Sequence, residues 1–254
     1  MYQDIIKNEM PILILVRLTF ELLLRNIKKI SLVVILFNLP LNAHQVLFKL
    51  DEMWVVQNYL LAVFYNLLTG VIMLLPLIAM TVIIDADIRD QDMKLPDAVK
   101  IAFQKFGKVI KTNILMFIII CGLFLLLIIP GVIWFVYYIF VLYIVVLRNR
   151  ELKNALNYSK LLVRGSWWKV FFINIIIIAI SAIFQRYTNQ YIGLPIITIL
   201  LQTINDLVIN SIILIANYLL FMNLEYLKVD RINSPGRRPG SSNVGGIAAP
   251  LPPA

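Results

Sequence analysis

The sequence predicts an all-α polytopic membrane protein with six transmembrane helices in three hairpins, each preceded by a cytoplasmic amphipathic helix. Hydrophobic residues make up 61% of the 254 residues and charged residues only 15%, a balance typical of integral membrane proteins. Apolar runs long enough to cross a bilayer recur along the chain. We therefore expect a single six-span domain over residues 1–230. Residues 231–254, rich in Pro, Gly and Ser, are expected to form a disordered cytoplasmic tail.

The first predicted unit, residues 9–84, opens with a helix that carries its charges on one face. Spacings of four, four and three residues separate Arg17, Glu21, Arg25 and Lys28. Such a helix, over residues 9–28, is expected to lie in the membrane interface. The first span then covers residues 30–50, and we expect a kink near Pro40.

The second span, residues 54–84, is expected to bend at Pro76 and to be followed by Asp85, Asp87, Asp90 and Asp92. Carboxylates bind divalent cations, but this run lacks the glycine and the closing glutamate of a calcium loop. We therefore expect a solvated helix end and no metal site. A second amphipathic helix begins at Leu95 and opens the second unit, residues 95–147; its polar face carries Lys100 and Lys105.

The third and fourth spans are expected to form a hairpin. Residues 114–147 are apolar for 34 positions apart from Gly122 and the pair Pro130-Gly131. One helix of that length would be about 50 Å long, more than a bilayer core of about 30 Å accommodates. Because proline lacks a backbone donor and glycine is permissive, we expect a turn at Pro130-Gly131 between spans 112–129 and 132–147.

The third unit, residues 150–226, begins with the third amphipathic helix, residues 150–164. Its apolar face consists of Leu152, Ala155, Leu156, Ser159, Leu162 and Val163, and the opposite face includes Lys153, Lys160 and Arg164. Trp167 and Trp168 mark a membrane interface. The fifth and sixth spans are expected over residues 167–184 and 195–226.

The distribution of basic residues predicts the orientation. Of the 23 Lys and Arg residues, 21 lie in alternate connecting segments or at the ends of the chain. The positive-inside rule then places both termini in the cytoplasm. Since topology accounts for the net charge of +9, we do not expect nucleic-acid binding.

A group of residues around the third amphipathic helix resembles a known family. The group comprises Pro130-Gly131, the aromatic span that follows, Glu151, Ala155-Leu156, Ser159, Leu162, Gly165 and the pair Trp167-Trp168. These residues resemble an uncharacterised six-span bacterial family of the YciC type and the related membrane domain of some glycerophosphodiester phosphodiesterases. The resemblance implies a bacterial inner-membrane location and no assigned reaction. The soluble barrel that performs the hydrolysis in those phosphodiesterases has no counterpart in this sequence.

The sixth predicted span carries a polar stripe. Gln202, Asp206 and Asn210 are four residues apart and Asn217 follows after seven, so an α-helix places them on one face. A charge within a span costs about 2.5–3.5 kcal/mol, so Asp206 is expected to face the interior. The stripe either bonds polar residues of the fifth span or lines a solute or proton path. His44, the one histidine of the chain, is a further candidate for such a path.

Two functions fit these features, and both are non-enzymatic, with no catalytic residue, metal or cofactor expected. In the first, the protein organises the membrane and binds anionic lipid through Lys100, Lys105, Lys153, Lys160 and Arg164. In the second, it is a transporter or permease subunit with a polar pathway between spans one and six. A membrane-protein partner or a second copy of the chain remains open as a further partner.

Overall fold

The computed structural model describes residues 10–47, 58–189 and 194–233, and within these ranges it is helical and contains no β-strand. The predicted all-α class is confirmed. The predicted tail lies outside the described residues from position 234 onward. The helices in chain order are α1 Ile12–Val33, α2 Leu39–Leu47, α3 Tyr59–Ile72, α4 Leu74–Ile88, α5 Leu95–Leu126, α6 Ile128–Tyr137, α7 Val141–Arg148, α8 Leu152–Val163, α9 Trp167–Asn189, α10 Pro195–Asn205 and α11 Ser211–Asn233.

The first rod, residues 12–47, is a continuous helical element made of α1, the π-helical segment Val34–Asn38 and α2. The predicted boundary between an interface helix and a span near residue 29 is wrong. No Gly or Pro lies between Ile12 and Leu39, so nothing near residue 29 ends the helix. The predicted kink near Pro40 takes the form of the π segment directly before it. Since Pro40 has no N–H for the carbonyl four residues earlier, a wider turn accommodates it.

The second predicted span is divided into α3 and α4 at Met73, three residues before the predicted bend. Pro76 lies in the first turn of α4, where a missing N–H removes no intrahelical bond. Asp85 and Asp87 lie inside α4 and not beyond it. Their side chains are only 16% exposed, so the expected solvated run is wrong for these two residues.

The second amphipathic helix is not a separate element, because α5 runs without a break from Leu95 to Leu126. Its buried face begins with Ala98, Ala102 and Val109. Phe103, which the periodicity placed on the same face, is 57% exposed. The predicted helix and the third span are therefore two parts of one helix.

The turn between α5 and α6 lies at Leu127, whose backbone is extended at φ −159° and ψ 135°. The expected turn at Pro130-Gly131 is therefore wrong, since both residues lie in the first turn of α6. A Cβ added to Gly131 would lie 2.7 Å from two ring atoms of Phe124. The glycine thus allows α6 to approach α5 closely, and its role is packing.

The third amphipathic helix is confirmed as the separate helix α8. Its buried residues are Ala155, Leu156, Ser159, Leu162 and Val163, whereas Leu152 is exposed. This apolar face packs on α5, α6, α7 and α11. After α8, Gly165 adopts a φ of +88°, a conformation that glycine accepts at little cost. The last rod, residues 195–233, joins α10 and α11 through the π-helical segment Asp206–Asn210.

Within the described residues, five helices are long and apolar enough to cross a membrane: Tyr59–Ile88, Leu95–Leu125, Ile128–Arg148, Trp167–Tyr187 and Pro195–Lys228. The most apolar stretches of the second and fourth are only 17% buried inside the protein. Large apolar side chains such as Leu60, Leu125 and Ile196 are more than 70% exposed. A soluble protein rarely exposes so much apolar surface, and the chain therefore has the character of a membrane protein.

Candidate functional site

A buried polar cluster lies where the first rod meets the last rod. The amide nitrogen of Asn42 donates to Oδ2 of Asp206 at 2.8 Å, and that of Asn210 donates to Oδ1 at 2.7 Å. Asn42 also lies 3.4 Å from the hydroxyl of Thr203. Asp206 is 9% exposed and Asn42 is 4% exposed. The carboxylate predicted to face the interior therefore does so, and it faces the first rod.

Both rods carry a π-helical segment at this point. Val34–Asn38 in the first rod and Asp206–Asn210 in the last rod contact each other, and α10 packs along α2. A π turn inserts one residue into an α-helix and re-aims the side chains that follow. Such turns are frequent at functional sites. The paired π segments thus mark this crossing as the candidate site.

Three buried side-chain oxygens near the crossing have no hydrogen-bond partner within the described part of the chain. They belong to Asn38, Gln202 and Asn205. Asn38 ends the first π segment, Asn205 precedes Asp206, and Gln202 lies one turn earlier in α10. Ion pairs between the described residues do not include Asp206. The cluster consequently combines one carboxylate with an excess of neutral acceptors.

Two other residues predicted for the pathway, Asn217 of the stripe and His44, lie apart from this cluster. Asn217 donates to Oδ1 of Asn174 on α9 at 3.0 Å, which is the interhelical bond expected from the sequence. The π segment Asp206–Asn210 widens the helix ahead of Asn217, so Asn217 does not share the face that an unbroken α-helix would give it with Gln202 and Asp206. His44 Nδ1 lies 2.6 Å from the hydroxyl of Tyr65, and the two rings stack. This pair is exposed and lies at the far end of α2.

A second polar group, at the opposite end of the last rod, was not found from the sequence. Glu225 accepts hydrogen bonds from Arg148 at 2.5 and 2.9 Å and from Tyr158 at 2.7 Å. Burial and the neighbouring Glu225 carboxylate raise the pKa of Tyr158 above its usual value. Two turns earlier in α11, Tyr218 donates to Asp85 at 2.8 Å. These bonds join α4, α7, α8 and α11, so their arrangement is that of a structural junction.

Other charged contacts surround the segments that connect α4 to α5 and α7 to α9. Ion pairs and polar contacts there join Arg25 to Asp87, Lys29 to Asp92, Arg89 to Asp85, Lys108 to Glu151, Lys169 to the carbonyl of Met10, and Lys228 to carbonyls of Leu161, Leu162 and Arg164. We call the region that these contacts join the charged end. Met10 and Lys228, which lie close to the two ends of the helical region, contact Lys169 and Leu161 respectively.

The five predicted lipid-binding side chains differ in their surroundings. Lys100, Lys153 and Arg164 are exposed. Lys105 donates to Asn149, and the ammonium group of Lys160 lies 4.2 Å above the ring of Trp134. Because the apolar face of α8 packs inside the protein, only its charged face is available to a membrane surface.

The helices and the buried polar cluster define a helical membrane protein with a polar site between its first and last helical rods. The chain belongs to the family described as Domain of unknown function (DUF7847), whose model matches residues 47–226. The matched range contains Asp206 and Glu225, whereas Asn38 and Asn42 lie before it. Neither the curated proteins nor the solved structures gave a match.

Proposed function

We propose that this chain is a non-enzymatic membrane protein that organises the bilayer by binding anionic lipid headgroups at its charged end. The observation that carries the proposal is the exposure of Lys100, Lys153 and Arg164. At the same end, the side chains of Arg148 and Glu225 are 21% and 10% exposed and bond to each other. The exposed cations are therefore the ones available to headgroups.

Six transmembrane helices in three hairpins remain the proposed topology. Residues 30–47 of the first rod would add one span to the five long apolar helices, and they are about 27 Å long at 1.5 Å per residue. The contacts of Met10 with Lys169 and of Lys228 with Leu161 support this proposal. They hold both ends of the helical region beside residues 161–169, an arrangement that an even number of crossings would produce. The positive-inside rule would make the charged end cytoplasmic.

The proposed location is a bacterial inner membrane, with both termini in the cytoplasm. The YciC-type resemblance around α6 and α8 is the basis of this location. A second membrane protein or a second copy of the chain could cover the exposed apolar faces of α3 and α9, which include Leu60 and Ile176.

The lipid proposal is tested on the full-length protein reconstituted in nanodiscs. Lys100, Lys153 and Arg164 are replaced together by Gln, and binding of a fluorescent anionic phospholipid is measured at low salt. Each basic residue near an anionic surface contributes about 1 kcal/mol, so the triple variant should bind about 100-fold more weakly. Arg186→Gln, which removes an exposed cation from α9, is the matched control and should bind normally. Equal binding by the triple variant and the control would refute the proposal.

A second candidate function is a solute or proton pathway between the first and last rods. The specific observation that favours it is the pair of facing π segments around buried Asp206. Its test pairs melting temperature with complementation of a deletion strain for Asp206→Asn and Asp206→Ala. Loss of complementation with unchanged melting would support the pathway. Full complementation by both variants would exclude it.

A further inference from the structure

We propose that the polar cluster at the crossing of the two rods binds one monovalent metal cation, of which Na⁺ is the probe for testing. The inference concerns binding at Asp206 and does not require that the cation moves through the protein. It rests on the charge of the cluster, on its unpartnered oxygens and on the kind of ligands present.

The first argument is charge. Asp206 is buried inside a helix long and apolar enough to span a membrane, and its two oxygens accept bonds from the neutral amides of Asn42 and Asn210. Among the described residues it has no cationic partner. A buried carboxylate costs several kcal/mol unless a positive charge or a proton compensates it. A single bound monovalent cation would neutralise the site.

The second argument is hydrogen bonding. The side-chain oxygens of Asn38, Gln202 and Asn205 are buried and lack donors within the described residues. Asn38 and Asn205 are 7% and 8% exposed. Buried acceptors without partners are rare in native proteins, because each loses its bonds to water and gains nothing in return. Three such oxygens, on the two rods that carry Asn42 and Asp206, suit a species with positive charge, which a carboxylate without a cationic partner also favours.

The third argument is ligand type. Carboxylate, amide and hydroxyl oxygens are hard ligands that suit alkali and alkaline-earth cations. The described residues hold no group of three or more His, Cys, Asp or Glu that could bind a metal together. One carboxylate balances one positive charge, whereas a divalent cation would leave an excess charge in a low-dielectric region. The cluster therefore matches a monovalent cation.

The test measures sodium binding and thermal stability of the purified full-length protein in detergent. Sodium-22 binding should saturate at one ion per chain. The melting temperature should rise with NaCl and stay constant with N-methyl-D-glucamine chloride at equal ionic strength. Asp206→Asn should abolish both the binding of sodium-22 and the rise of the melting temperature with NaCl. Asn217→Ala, which removes a polar contact elsewhere in the same rod, is the matched control and should keep the full sodium dependence.

If Asp206→Asn fails to fold, the proposal is tested with two other variants, Gln202→Leu and Asn205→Leu. With a cation in the site, each change should raise the apparent dissociation constant for Na⁺ at least tenfold. If only water or protein groups fill the site, each change should leave sodium dependence absent and raise the melting temperature, since an unpartnered oxygen is removed. No sodium-22 above background in the unaltered protein, or an equal response to both salts, would overturn the proposal. Sodium binding without sodium flux in vesicles would support the binding site and exclude a sodium pathway.

Discussion

Replacing Glu225 by Gln should destabilise the protein more than removing an exposed charge at the charged end. Glu225 accepts three hydrogen bonds, two from Arg148 and one from Tyr158, and its side chain is only 10% exposed. Glutamine keeps the shape but removes the charge, and the guanidinium of Arg148 is then left without its partner. Removal of one member of a buried ion pair costs about 3–5 kcal/mol.

The pair Lys29–Asp92 provides the matched comparison. Its two side chains are 39% and 83% exposed, and their charged atoms are 3.2 Å apart. Exposed pairs contribute about 0–1 kcal/mol, because water and salt screen the attraction. Asp92→Asn should therefore change the free energy of unfolding by less than about 1 kcal/mol.

The assay is reversible unfolding in mixed micelles, followed by far-UV circular dichroism. The structure requires Glu225→Gln to lose at least about 2 kcal/mol more than Asp92→Asn. Replacing Arg148 by Met, Glu225 by Leu and Tyr158 by Phe together should restore much of that loss, since no buried polar group then lacks a partner. Equal losses for the two single variants would refute the assignment of Glu225 to a buried junction.

Three further predictions concern topology, packing and pH. A cysteine at Tyr187 should react with an impermeant reagent in intact cells, whereas one at Asn157 should react only after the membrane is opened; labelling of Asn157 in intact cells would contradict the six-span topology. Gly131→Ala should cost about 1–3 kcal/mol by overpacking, and Phe124→Ala in the same chain should recover part of it, as a melting curve would record. Because burial raises the pKa of Tyr158, its contribution to stability is complete below the unfolded value of about 10 and is lost as the pH rises beyond it. Unfolding titrations should show a smaller alkaline loss in Tyr158→Phe, and identical alkaline losses would contradict this prediction.

The sequence was sufficient for the features that depend on local pattern. Apolar runs predicted the long helices, and the periodicity around Ala155 and Leu162 predicted the buried face of α8. Burial of Asp206 also followed from sequence, because a charge in an apolar run has to avoid lipid. These features follow from the chemistry of neighbouring residues.

Features that depend on distant contacts could not be predicted. Pro130-Gly131 has the composition of a turn, but Gly131 is needed for contact with Phe124, and the chain turns at Leu127 instead. The partner of Asp206 was sought on the fifth span and lies on the first rod, at Asn42. A prediction from residue spacing assumes an unbroken α-helix, so it could not identify the π segment that begins at Asp206.

The bond between Asn42 and Asp206 constrains the order in which the protein is assembled. The two residues are 164 positions apart, so at about 5–20 residues per second a ribosome needs roughly 8–33 s to deliver the second after the first. During that time Asn42 has emerged, and its partners Thr203 and Asp206 in the last rod do not yet exist. The first rod can pair with α4 earlier, through Arg25 and Asp87, but its crossing with the last rod can form only after Asp206 has been made. The polar cluster around Asp206 is therefore among the last contacts of the fold to be completed.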